Sequence, residues 1–123
     1  MAKYEHLSIY KSTYDLLILY HKLQLNFPKA FKYTLGQSTI DVIEQALLEI
    51  ISINNQEQKN FHKLLLLLEQ LKIKTRVLKS LQVFSQKVYL QLAEQIVTLL
   101  KQAQGWQSYS QKVRYQNQKA MAI

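Results

Sequence analysis

The chain of 123 residues contains no cysteine, only two glycines and one proline, and half as many acids (8) as Lys and Arg together (16). The missing cysteine excludes a disulfide framework, a cysteine-based zinc site and a thiol nucleophile, and it fits a reducing compartment. Two glycines are too few for a phosphate-cradling loop, which needs several at fixed spacing. With a single proline beside them, they also fall short of the turn residues that β-rich folds require. The longest purely apolar run, residues 64–68, is far below the roughly 20 residues of a membrane span. The first residues, MAKYEHLSIYK, mix charges of both signs and lack a signal-peptide apolar stretch. These absences predict a soluble, cytoplasmic, helical protein.

What is present agrees. The length suits one domain, and a hydrophobic content of 48% can fill one core. Break points are few: Asn26-Phe27-Pro28, a polar cluster at 52–56, a third turn at 81–85 with Ser85 as N-cap, and Gly105 as C-cap. Between them lie segments with helical periodicity at about 5–26, 30–54, 57–80 and 86–104. Short connections make consecutive helices antiparallel neighbours. The expected fold is therefore all-α, an antiparallel up-down-up-down four-helix bundle spanning residues 1–106. Residues 107–123 are expected to form a basic C-terminal tail. A flexible terminus and an arm that orders on nucleic acid both fit that tail.

The third segment carries the clearest pattern. Phe61, Leu64, Leu68, Leu71, Thr75 and Leu78 advance by alternating steps of 3 and 4, a heptad seam. Leu66, Ile73 and Val77 lie on the opposite side. A broad core contact and a second interface both account for them. The other segments also offer more apolar surface than one buried stripe. The surplus predicts a homo-oligomer with Leu66, Ile73 and Val77 at its interface.

Charge is uneven. Beyond the first turn, where Lys29 and Lys32 lie, the second segment has Asp41, Glu44 and Glu49 and no Lys or Arg. The third segment is net +4, and the tail holds Lys112, Arg114 and Lys119 without an acid. Lys72, Arg76 and Lys79 share one flank of the seam, and Lys63 and Lys74 share the other. Like charges at this spacing repel, and a polyanion relieves the repulsion through salt-sensitive phosphate contacts. Lys63, Lys72, Lys74, Arg76, Lys79, Lys112 and Arg114 are therefore the candidate nucleic-acid contacts. The two arginines among the 16 cations favour backbone contact over base reading. Tyr109 and Tyr115 alternate with tail cations as stacking candidates, whereas Tyr10, Tyr14 and Tyr20 suit the core edge. Trp106 reads as a plug at the bundle end.

Catalytic constellations are missing from the pattern. His6, His21 and His62 share no ligand-like spacing, and Asp41, Glu44 and Glu49 have no histidine or basic partner at matching positions. No metal, cofactor or enzymatic activity is expected. A binding protein is.

The residues carry a family resemblance as well. Ile9-Tyr10-Lys11-Ser12-Thr13-Tyr14-Asp15-Leu16-Leu17, Asn26-Phe27-Pro28-Lys29 and Leu35-Gly36-Gln37 resemble a bacterial four-helix-bundle superfamily. So do Leu78-Lys79-Ser80-Leu81 and Ser85-Gln86-Lys87-Val88-Tyr89, through to Gly105-Trp106. That group includes the 23S ribosomal RNA intervening-sequence proteins and the accessory variability determinant (Avd) proteins of diversity-generating retroelements. Where intervening-sequence proteins show a Pro-Ser-Asn-Ile-Ala-Glu-Gly-type motif, this chain reads Glu49-Ile50-Ile51-Ser52-Ile53-Asn54-Asn55, which favours Avd. The resemblance covers about residues 5–106. It implies a pentameric ring, a reverse transcriptase and RNA or DNA as partners, and support of mutagenic retrohoming without bond-making by this chain. It also places Lys72, Arg76 and Lys79 on the helix that carries the family's functional basic residues. Alternatives are an intervening-sequence-type nucleic-acid binder, a helical subunit that binds no nucleic acid, and the helical partner of a nucleotidyltransferase.

Overall fold

The computed structural model describes Tyr4 and residues 7–121, and the described residues are helical with short connections. Four long helices, α1 (Ser8–Gln24), α3 (Leu35–Asn54), α4 (His62–Ser80) and α5 (Gln86–Met121), are joined by a one-turn helix, α2 (Lys29–Lys32), and by loops. α1 packs on α3 and α5, α4 packs on the same two helices, and α2 packs on α3. No described helix is long and apolar enough to cross a membrane.

The heptad seam lands as its spacing predicts: Phe61, Leu64, Leu68, Leu71, Thr75 and Leu78 are all buried. They meet Leu16 and Tyr20 of α1, Ile40, Ile43 and Ile50 of α3, and Leu92, Ile96 and Leu99 of α5 in one cluster. Each fully buried aliphatic side chain contributes about 1.5–3 kcal/mol relative to exposure. The polar centre of this core is the Tyr20 hydroxyl, 2.5 Å from Thr75 Oγ1. A buried hydroxyl left unpaired would be costly, so the pair holds α1 and α4 in one register. Burial pushes the Tyr20 phenol well above its ordinary value, against the smaller opposing effect of the Thr75 hydrogen bond.

Three helix boundaries depart from the periodicity. The second segment is not continuous: the chain breaks at Tyr33-Thr34 before α3 begins at Leu35. Phe27 is buried beneath Gly36, where an added Cβ would come within 2.7 Å of the Phe31 carbonyl oxygen and 2.8 Å of the Phe27 ring. That packing ties the first turn to α3 and requires a residue without a side chain. The third segment starts later than the expected residue 57, at His62. In the preceding loop, Lys59 Nζ donates to the carbonyls of Ile53, Asn54 and Gln56 at 3.0, 3.2 and 3.0 Å. A cation on the last carbonyls of α3 complements the negative end of its dipole.

The third departure is the largest. α5 does not end at Gly105. It runs through that glycine to Met121, 36 residues in all. Gly105 has no positive φ, and a Cβ there would meet nothing within 4 Å, so the residue serves neither as a C-cap nor as a packing notch. Residues 107–121 are thus a helical continuation of α5, carrying it about 22 Å past Trp106 at 1.5 Å per residue.

The α4–α5 turn behaves as expected at Ser85, whose Oγ accepts from the Val88 N–H at 3.2 Å. On its other side Gln82 takes φ 59°, while the Val83 N–H bonds Leu78 O at 3.0 Å and the Gln82 N–H bonds Lys79 O at 2.9 Å. This pair of bonds is a Schellman closure, with glutamine at the position glycine usually holds.

Candidate nucleic-acid interface

The seven sequence-derived cations do not converge. Lys63 and Lys74 turn toward α3: Lys63 Nζ lies 3.7 Å from Glu49 Oε2, and Lys74 Nζ donates to Ser38 Oγ at 2.9 Å. On the other edge of α4, Lys79 Nζ sits 4.9 Å from the centre of the Tyr89 ring of α5. Lys72 pairs with Glu69 one turn earlier, 3.4 Å away, and Arg76 is exposed. Four of the five α4 cations therefore already have an internal partner: a carboxylate for Lys63 and Lys72, a hydroxyl for Lys74 and a ring face for Lys79. Lys112 and Arg114 lie far along the chain on the α5 extension, and both are exposed.

Continuation of α5 brings forward residues that the segment boundary hid. At about 100° per residue, Lys101, Lys112 and Lys119 fall within roughly 20° of one another on the outward face. All three are exposed, and none forms an ion pair with a described residue. Lys87 lies close to the same line at the start of the helix. Glu94 is the last acid in the chain; the 27 residues from Gln95 to Met121 hold Lys101, Lys112, Arg114 and Lys119 and no negative side chain. The spacing of 11 and then 7 residues was the available signal for this stripe. Reading Gly105 as a helix end concealed it.

The apolar triad of α4 is on the surface: Leu66, Ile73 and Val77 are 61%, 59% and 41% exposed. Leu48 of α3 and Leu90 and Val97 of α5 are exposed too.

Other polar groups are dispersed. His21 Nε2 lies 3.8 Å from Glu44 Oε1 across α1 and α3, and His62 is exposed at the start of α4. His6 and Glu5 lie outside the described residues. Among the described residues no three histidine or carboxylate side chains are placed to hold a metal ion. Trp106 is half-buried against Phe61, edge to face, at the end of the core.

No family model, curated protein or solved structure matches this chain.

Proposed function

We propose that this protein is a non-catalytic, oligomeric accessory protein that binds RNA or DNA through the basic face of α5. In this reading the four long helices form an antiparallel up-down-up-down bundle, and the protein works in the cytoplasm. The observation that carries it is the acid-free run after Glu94, with Lys101, Lys112 and Lys119 aligned on one exposed helix face. Such a stripe presents an unscreened field to a phosphate backbone and gives affinity without base reading. The resemblance to Avd proteins adds the partner. The chain would hold a retroelement reverse transcriptase and its template together, raising their effective concentration and fixing their orientation in mutagenic retrohoming. The same resemblance makes the oligomer a pentamer, with Leu66, Ile73 and Val77 covered between subunits.

A second reading, a helical interaction subunit that binds no nucleic acid, draws on the same exposed apolar triad. Co-purification separates the two. The tagged protein is expressed with the products of its neighbouring genes, any reverse transcriptase among them, and recovered with and without nuclease. Recovery of the polymerase together with RNA supports the accessory reading. Recovery of a different partner without RNA supports the second.

A further inference from the structure

Between the loop that precedes α4 and the α5 extension lies an open groove of about 870 Å³. Its floor is Phe61, Leu65, Trp106 and Val113, and its rim carries Arg114 and Tyr109. Gln58, Gln107, Gln111, Asn117 and Gln118 also line it, and none of these five amides is hydrogen-bonded to another described residue. The loop wall is held in place by the three bonds from Lys59 and by Asn60, whose N–H donates to Gln56 Oε1 at 2.9 Å and whose Oδ1 accepts from the His62 N–H at 3.0 Å.

We infer that this groove holds unpaired bases of a single-stranded nucleic acid, with Arg114, the one α5 cation that lines it, meeting the phosphates of the same strand; the outward lysines lie on the opposite side of α5. The inference rests on the nucleic-acid reading above and names its ligand class. Three observations combine. An amide side chain offers a donor and an acceptor side by side, the arrangement that pairs with the exposed edge of an unpaired base. Trp106 and Tyr109 offer ring faces for stacking, which every base can use. Arg114 supplies a planar cation that stacks on a base or forks onto a phosphate. A duplex keeps its Watson–Crick edges paired and its ring faces stacked, so it offers neither to the groove.

Trp106 is the only tryptophan of the chain, so its emission reports on the groove directly. The full-length protein is titrated with a mixed-sequence single-stranded RNA of about 10 nucleotides and with the same sequence as a duplex. Binding is followed in parallel by anisotropy of a label on the RNA. The expected result is quenching of Trp106 by the single strand and none by the duplex. Tyr109→Ala weakens single-strand binding roughly 5- to 150-fold, the range of one lost stacking contact, and Arg114→Ala weakens it as well. Both positions are exposed, and an unchanged helical circular dichroism signal confirms that the variants fold. If the single strand binds while Trp106 emission and both variants' affinities stay unchanged, the groove is not the site, although the nucleic-acid reading survives. If the variants instead dissociate an oligomer in light scattering and leave RNA affinity intact, the occupant is a second copy of this chain. If neither strand binds at low salt, the nucleic-acid reading fails and the groove assignment with it.

Discussion

Phe61 and Trp106 meet edge to face, with ring centres 5.0 Å apart and planes at 82°. They form the last layer of the core, and α5 continues beyond them on its own. Aromatic pairs in this geometry add about 0.5–1.5 kcal/mol to their burial. Phe61 is almost fully buried, so Phe61→Ala is expected to cost about 3–5 kcal/mol. Urea denaturation followed by circular dichroism measures it. A loss below 1 kcal/mol would mean that the pair does not close the core.

Gly105→Ala distinguishes a helix interior from a helix end. Within a helix, with open space around the new methyl group, alanine stabilises by about 0.5–1 kcal/mol. At a left-handed cap the same change would destabilise. Thermal unfolding of the two proteins gives the sign, and the account requires a higher melting temperature for the alanine variant.

Gln82→Gly tests the turn between α4 and α5. A side chain at φ 59° costs about 1–2 kcal/mol of backbone strain, offset in part by the larger entropy glycine loses on folding. A net gain of about 0.5–1 kcal/mol in chemical denaturation is expected. Gln82→Ala keeps the strain and gains nothing.

Tyr20 sets an alkaline limit. Its phenol is pushed upward by burial in the folded chain and keeps its ordinary value near 10 in the unfolded chain. Below that pH both states hold the proton, and the contribution to stability is complete. As pH rises above it the unfolded chain releases the proton and the folded chain does not, so stability falls by up to about 1.4 kcal/mol per pH unit. Tyr20→Phe removes this share of the pH dependence. At neutral pH it costs about 1 kcal/mol, because the Thr75 hydroxyl loses its partner across the core. Denaturation midpoints for both proteins between neutral pH and pH about 11 check both parts.

The core was legible in the sequence because its signal is local. Leu64, Leu68, Leu71, Thr75 and Leu78 follow one another at helical spacing, and burial follows from spacing alone. What escaped depends on contacts between distant segments. Nothing near Thr34 announces a break; the cause is Phe27 lodged beneath Gly36. Lys63 and Lys74 look free on α4 until α3 brings Glu49 and Ser38 against them. Glycine at 105 reads the same whether it caps a helix or sits inside one, and that ambiguity separated Lys101 from Lys112 and Lys119. The groove was invisible for the same reason: its walls belong to a loop and to a helical extension about 50 residues later.

The most direct test of the account is the salt dependence of RNA binding after reversal of the outward stripe of α5. Lys101→Glu, Lys112→Glu and Lys119→Glu are combined in one variant, and the affinity for a single-stranded RNA is measured across a salt series. Each single-strand phosphate contact contributes about 0.7 to the slope of log affinity against log salt, so loss of three contacts flattens the slope by about 2. The account predicts that flattening, with strongly reduced affinity at low salt and an unchanged helical signal. Equal affinity and equal slope in the two proteins would contradict it.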